Sequence, residues 1–354
     1  MTRQQTEMKK ILITGNMGYI GPVLVQHLRK CYPRAKLVGV DLGYFAHCLS
    51  TLDQLPERRL DTQIFGDVRA LPGQLLEGVD AVVHLAAISN DPMGNRFEAV
   101  TQDVNYRAGI AIARAAKSAG VKSFVFASSC SVYGLAEGGP RAETDELNPL
   151  TAYARSKIDS EKALAPLAEP GFTVTALRFA TACGWSERIR LDLVLNDFVA
   201  CAVSSGAISI LSDGTPWRPL IEVRDMARAI EWAIGRDATG GDFLTINAGS
   251  SKWNYQVLQL AEAVARIVPK TTIQVNKNAA PDKRSYRVDF SLFEKLAPRH
   301  QPQVDLDQAA REIFDGLSQV GFKDPNFRES SWMRLRVLNG HIERGRLDEQ
   351  LRWV

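Results

Sequence analysis

The sequence has 354 residues, of which 45% are hydrophobic and 23% are charged, and its formal net charge is +3. This length allows one large α/β domain and a smaller lobe around a substantial core. The composition is that of an ordinary globular protein and excludes disordered, collagen-like and disulfide-rich classes. Basic and acidic residues are too evenly balanced for a nucleic-acid footprint, so no nucleic-acid partner is expected.

The spacing of the cysteines and the length of the apolar segments predict the cellular compartment of the protein. The five cysteines are widely spread, and no CxxC or Cys/His metal spacing is recognisable among them, so we expect free thiols and no metal site. The segment MTRQQTEMKK has no apolar stretch of signal-peptide length, and no segment approaches the ~18 consecutive apolar residues of a membrane span. A cytoplasmic protein with no membrane partner is expected.

Short apolar runs alternate with longer helix-period segments in the first half of the chain, which is typical of a doubly wound parallel sheet. Crossovers of this length force parallel pairing. Strands are predicted at residues 11–14, 37–41, 63–65, 81–85, 124–127 and 174–177, with helices at 22–29, 108–118 and 153–167. The predicted fold class is therefore α/β, with a Rossmann-type sheet.

A glycine-rich turn, TGNMGYIG, follows the first predicted strand and opens a helix. Without side chains, Gly15 and Gly18 allow a tight turn and let backbone N–H groups approach a pyrophosphate, while Gly21 allows close helix packing. Asp41 ends the second strand, where its carboxylate can accept hydrogen bonds from ribose hydroxyls and disfavours a ribose phosphate, which favours NAD over NADP. The turn contributes the predicted cofactor contacts Gly15, Asn16, Met17, Gly18, Tyr19, Ile20 and Gly21.

Two side chains suited to proton transfer, Tyr153 and Lys157, lie four residues apart, so a helix places them on one face. A tyrosine with a pKa near ~10 is a poor base at neutral pH, but a neighbouring cation favours the phenolate. The fifth strand ends in Ser128 and Ser129, at the sheet edge where ligands of such folds bind. A lone YxxxK motif is common by chance, so the other motifs must support this interpretation.

Together, TGxxGxxG, Asp41, GDV at 66–68, HLAA at 84–87, SSxxVYG at 128–134 and YxxxK resemble the extended short-chain dehydrogenase/reductase family, over about residues 10–225. The resemblance implies a small C-terminal lobe and a nucleoside-diphosphate sugar as substrate. It assigns catalysis to Ser129, Tyr153 and Lys157. Further cofactor contacts are expected at Asp67, Val68, Leu85, Ala86, Ala87 and Asn105, with Tyr153 and Lys157.

On the substrate side, the sequence departs from the family at several positions. Cys130 and Ser131 stand where sugar-nucleotide 4,6-dehydratases carry an acidic pair, which disfavours that elimination. Thr181 replaces the usual asparagine of RxxNxxG, and Ala279 replaces an expected arginine, for which Arg284 or Arg287 could compensate. The predicted substrate contacts are Ser129, Cys130, Ser131, Thr181, Asn196, Arg218, Arg284 and Arg287, although packing is an alternative role for Cys130.

The regular alternation loosens after Arg178, and a return to helix and strand follows over 223–246. We predict an NAD-binding domain over 1–178, whose sheet is completed by about 223–248. A smaller, discontinuous substrate lobe is predicted over 179–222 and 249–354. From Ser331 onward, arginines among apolar residues predict a surface helix with one packed face and one solvated face.

The leading functional hypothesis is an NAD-dependent nucleoside-diphosphate sugar epimerase, most simply at carbon 4, acting through a transient ketone. Two alternatives stay open. The same residues would serve a one-way reductase or dehydrogenase of a nucleotide sugar, and a nicotinamide-binding regulatory protein could keep the fold without catalysis. A homodimer is expected in each case.

Overall fold

The computed structural model describes residues 8–51, 54–136, 138–276, 279 and 285–354. The strands are β1 (Lys10–Thr14), β2 (Lys36–Asp41), β3 (Thr62–Phe65), β4 (Ala81–His84), β5 (Ser123–Ser129), β6 (Thr173–Phe179), β7 (Thr181–Cys183), β8 (Ala207–Ile210), β9 (Trp217–Glu222), β10 (Phe243–Ala248), β11 (Asn254–Gln256) and β12 (Thr272–Val275). The helices are α1 (Gly21–Cys31), α2 (Asp91–Arg96), α3 (Glu98–Thr101), α4 (Gly109–Ser118), α5 (Ala152–Leu164), α6 (Val194–Ser205), α7 (Val223–Gly235), α8 (Val257–Ile267), α9 (Ser291–Leu296), α10 (Leu306–Gln319) and α11 (Arg334–Glu343).

A parallel sheet of seven strands forms the centre of the molecule, in the order β10-β6-β5-β4-β1-β2-β3. Its central strands are buried on both faces, which explains why their sequences are continuous apolar runs rather than alternating ones. The predicted fold class is confirmed, and each predicted strand lies within two residues of an observed one. The strand order reverses between β1 and β4, which places a crevice at the carboxyl ends of these strands.

The smaller lobe is built from short sheets and helices. Strands β11, β9 and β7 form one sheet, β12 and β8 form another, and α6 packs against both α8 and α10. Helix α6 begins at Val194, directly after a segment in which Arg190 and Asp192 form an ion pair. Among the described residues, no helix combines the length and apolarity needed to cross a bilayer.

Helix α11 has one packed and one exposed face, as predicted, with Val337, Leu338 and His341 buried and Arg336 and Glu343 exposed. Leu338, Leu347 and Leu351 belong to the same apolar cluster as Leu12 of β1 and Val40 of β2, although we assigned this segment to the substrate lobe. Arg334, expected in solvent, is only 2% exposed and donates to the carbonyl oxygen of Arg188. Arg334 lies one helical turn before Val337 and Leu338, on the packed face, and its charge gave no sequence signal of that burial.

Candidate active site

The glycine turn lies against the loop that follows β4. Gly15 has φ +73°, and a Cβ there would lie 2.5 Å from the backbone nitrogen of Ala86. At Gly21, a Cβ would lie 1.9 Å from the carbonyl oxygen of Asn16. Any side chain at these two positions would clash with backbone, so the turn is as close to its neighbours as a dinucleotide-binding turn requires.

Asp41 is fixed at the edge of this turn by backbone hydrogen bonds. Its carboxylate accepts from the Met17 N–H at 3.0 Å and from the Gly43 N–H at 2.7 Å. Burial raises the pKa of Asp41, while these two hydrogen bonds lower it. The carboxylate lines the cleft described below, where a ribose diol could donate to its remaining lone pairs.

A cleft of about 830 Å³ runs from the glycine turn across the carboxyl ends of the sheet to the small lobe. Its size suits a dinucleotide and part of a second ligand. Most of the predicted cofactor contacts line it: Gly15, Gly18, Tyr19, Ile20, Asp41, Val68, Leu85, Ala86, Ala87, Tyr153 and Lys157.

Five predicted cofactor residues are not among those lining the cleft, namely Asn16, Met17, Gly21, Asp67 and Asn105. Asn16 is buried and donates to Gln63 at 2.6 Å. The Asp67 carboxylate instead accepts from the backbone N–H and side chain of Arg69.

Asn105 is a positioning residue rather than a lining one. It accepts from the Ile88 N–H at 2.8 Å and donates to Ser156 at 3.1 Å, so it joins the loop after β4 to helix α5. Because α5 carries Tyr153, this buried amide fixes that helix beside the cleft.

Tyr153 and Ser129 meet at the carboxyl end of β5. Ser129 is the last residue of β5 and Tyr153 lies in the first turn of α5, whose N-terminus is capped by Thr151. The Ser129 side chain is hydrogen-bonded to the Tyr153 phenol. Burial raises the pKa of Tyr153 to about 12, and the hydrogen bond to Ser129 and the charge of Arg190 oppose that rise.

Lys157 lies one turn along α5 from Tyr153, as predicted. Its ammonium donates to the Ala127 carbonyl oxygen at 2.7 Å and lies 5.4 Å from the centre of the Tyr153 ring. The Lys157 side chain is 3% exposed, and this burial lowers its pKa to about 7. The Ser128 hydroxyl donates to the Glu161 carboxylate, which gives this side chain a structural role.

Arg190 is a cleft residue that the sequence reasoning missed. It is held by two hydrogen bonds of 2.9 Å to Asp192, which also accepts from Asn90 at 2.5 Å. Both Arg190 and Asp192 line the cleft, and the Arg190 charge lowers the pKa of Tyr153. The only sequence signal was an Arg and an Asp two residues apart in a polar stretch, which is common on surfaces.

On the substrate side, Ser129, Ser131, Thr181 and Arg218 line the cleft. The Ser131 hydroxyl is buried, and within the described part of the chain nothing pairs with it. The guanidinium of Arg218 donates to the Trp217 carbonyl oxygen at 2.9 Å, which fixes it at the small-lobe side of the cleft.

The structure contradicts two predicted substrate contacts, because their side chains turn away from the cleft. Cys130 is fully buried, and its thiol donates to the Arg178 carbonyl oxygen at 3.1 Å. Asn196 is also fully buried, where it accepts from the Gly184 N–H and donates to the Arg190 carbonyl oxygen. Both side chains are part of the core, where each buried polar group is hydrogen-bonded to the backbone.

Arg287 lies in a smaller neighbouring pocket of about 280 Å³, with its guanidinium 5.2 Å from the centre of the Trp217 ring. Arg284 lies outside the described residues. Two other arginines line the main cleft, although we had not predicted them. These are Arg334 and Arg328, of which the second pairs with Asp197 at 2.7 Å.

The geometry agrees with a comparison against protein families, in which the model of the NAD dependent epimerase/dehydratase family matches residues 11–249. The chain belongs to this family. It is 28% identical over 313 residues to an uncharacterized UDP-glucose epimerase of Bacillus subtilis (strain 168), covering 86% of this chain and 96% of that protein. It is 27% identical over 294 residues to UDP-glucose 4-epimerase of Lactobacillus helveticus, covering 77% and 87%.

A solved structure of MoeE5 in complex with UDP-glucose and NAD is similar at a TM-score of 0.73 and 25% identity, covering 88% of this chain and 99% of that one. Membership of the epimerase/dehydratase family makes the chain an NAD-dependent enzyme, which confirms the predicted cofactor. The close approach of Gly15 to the loop after β4 and the Asp41 carboxylate beside the turn are features that a dinucleotide site requires.

Proposed function

We propose that this protein is a nucleoside-diphosphate sugar epimerase that inverts carbon 4 of a UDP-hexose. The observation that carries the proposal is the meeting of Ser129, Tyr153 and Lys157 in one cleft with the glycine turn. The relatives whose names specify UDP-glucose epimerases support the substrate class. The homodimer and the cytoplasmic location stay predictions, and the free state of all five cysteines agrees with a reducing compartment.

Tyr153 is the proposed base that accepts the proton of the sugar hydroxyl. NAD supplies reversible hydride acceptance when bound, so the oxidised sugar carbon becomes a ketone. Ser129 would donate to the reacting oxygen and hold it against the phenol, and the nearby cations Lys157 and Arg190 would stabilise the phenolate. After the ketone has presented its other face, Tyr153 would return the proton to the oxygen as the hydride held by the cofactor returns to the carbon, which would restore the alcohol.

The substrate's diphosphate would be bound by Arg218, whose forked, permanently charged head suits phosphate oxygens. Ser131 would donate to the sugar, since its hydroxyl is buried at the cleft wall. The buried Cys130 thiol leaves that neighbouring position without an acid or base, which argues against the dehydratase reaction of other family members.

The first test is purification without added cofactor, followed by extraction of the bound nucleotide and incubation with UDP-glucose. We expect bound NAD and conversion between UDP-glucose and UDP-galactose, with no net consumption of added NADH. Stoichiometric consumption of NADH or NADPH with a keto-sugar would contradict the epimerase and favour the reductase.

The second test replaces Tyr153, the proposed catalytic base. Tyr153→Phe should lower kcat by at least a hundredfold, the size of a lost acid–base group, while bound NAD is kept. Tyr106→Phe, a tyrosine away from the cleft, is the matched control and should keep full turnover. Unchanged turnover in the Tyr153 variant would overturn the catalytic assignment. A wild-type protein that binds NAD but shows no turnover would favour a regulatory protein.

A further inference from the structure

A cluster of metal-binding side chains lies on the outer face of helices α1 and α7. His27 and Cys31 are one helical turn apart on α1, and Glu231 faces them from α7. The donor atoms of these three residues lie within 4.8 Å of one another, and no other such group of three occurs among the described residues. None of the three lines the catalytic cleft.

The distances approach those of a tetrahedral site. The His27 Nε2 atom lies 3.5 Å from Cys31 Sγ and 4.0 Å from a carboxylate oxygen of Glu231. With zinc bonds of about 2.0 to 2.3 Å, tetrahedral angles separate two ligand atoms by about 3.3 to 3.6 Å. A small rotation of the Glu231 side chain would bring all three donors to one ion.

The carboxylate is already oriented by groups around it. His300, in the segment after α9, lies with its Nε2 2.6 Å from Glu231, and the Tyr32 hydroxyl donates to the other carboxylate oxygen at 3.5 Å. Such outer partners fix the direction of a ligating carboxylate and strengthen the site.

We propose that His27, Cys31 and Glu231 bind a zinc ion, with His300 as a positioning residue for Glu231. Thiolate, imidazole and carboxylate are the protein ligands that zinc takes, and the fourth position would hold water. The ion would join α1, α7 and the segment after α9, which come from three distant parts of the chain. The sequence alone does not indicate this site, because only His27 and Cys31 are near in sequence and a lone pair four residues apart predicts little.

The test is titration of the reduced full-length protein with Co²⁺, which reports thiolate ligation through a charge-transfer band in the near ultraviolet and tetrahedral geometry through visible d–d bands. We expect both bands at one ion per chain, and their loss on addition of Zn²⁺. Cys31→Ser should abolish the near-ultraviolet band and weaken binding about a hundredfold, and His300→Gln should weaken binding about tenfold.

The matched control is Cys48→Ser, because Cys48 and His47 form another neighbouring pair, with Sγ and Nε2 3.8 Å apart. This variant should keep the near-ultraviolet band. Zn²⁺ should also raise the melting temperature of the wild-type chain and leave that of Cys31→Ser unchanged, which separates loss of the site from loss of folding. A missing band, or a band that survives Cys31→Ser, would overturn the proposal.

Discussion

At the scale of single residues, Lys157 shows how burial changes the charge of a side chain in the cofactor-free protein. The amine is almost completely enclosed beside the Tyr153 ring, and its pKa falls to about 7 from 10.5. Tyr153 moves in the opposite direction, because burial disfavours its anion. Burial therefore opposes both the Lys157 cation and the Tyr153 anion, and it makes proton transfer from the phenol to the amine less favourable than between the free groups.

This shift predicts a pH dependence of stability. Between pH 7 and about 10.5, the unfolded chain keeps the Lys157 proton that the folded chain has lost, so the free energy of unfolding rises with pH across this window. For cofactor-free protein, the melting temperature of the wild type relative to Lys157→Met should rise between pH 7 and 9.5. Lys162→Met, at an exposed position of the same helix, should show no such trend. A pH-independent difference for Lys157→Met would contradict the shift.

The sequence predicted the residues whose positions follow from local spacing. It did not predict whether other side chains point into the cleft or into the core. Ser129, Tyr153 and Lys157 could be found because a strand end and one helical turn fix their positions. Cys130 and Asn196 could not, because their inward orientation depends on the backbone groups of Arg178 and Gly184, which only the folded chain brings near.

At the scale of elements, the segment after α11 is hydrogen-bonded to the loop that follows β2. The Trp353 indole donates to the Leu42 carbonyl oxygen at 2.7 Å, and the Tyr44 hydroxyl donates to the Leu351 carbonyl oxygen. This loop directly follows Asp41, so the segment indirectly holds the adenosine side of the cleft. Sequence periodicity predicted a helix here, but it contained nothing about this attachment.

Deleting residues 351–354 should therefore weaken NAD binding. Losing two hydrogen bonds to the loop, each worth about 1 kcal/mol, predicts a fall in affinity of about tenfold or more. Calorimetric titration of NAD measures this fall, and UDP affinity in the cofactor-free protein should stay unchanged because Arg218 belongs to β9 and not to this loop. Deletion of the exposed Val354 alone is the control, and equal NAD affinity in both truncations would refute the attachment.

At the scale of the whole molecule, two hydrogen bonds connect the glycine turn of the cofactor site to the small lobe. The Tyr19 hydroxyl donates to the Gly184 carbonyl oxygen at 2.6 Å, and Ser186 donates to the Tyr19 carbonyl oxygen at 2.6 Å. Two sites bonded in this way can influence one another, and any such influence is reciprocal.

We therefore expect NAD to tighten the binding of UDP in the wild type, and Tyr19→Phe to reduce that effect severalfold, because the variant loses the bond to Gly184. Titrations of UDP with and without NAD measure the coupling directly. Tyr106→Phe again provides the control. A Tyr19 variant that keeps the full effect of NAD on UDP binding would show that the bond does not transmit it.

The sheet itself has a consequence for synthesis of the chain. Strand β10 pairs with β6 along six residue pairs, yet the small-lobe strands β7, β8 and β9 are made between them. On the ribosome, β6 therefore emerges long before its partner, and one edge of a hydrophobic strand stays unpaired until Ala248 has been translated. Unpaired strand edges recruit other chains, so the nascent protein passes through an aggregation-sensitive stage that ends only when β10 docks.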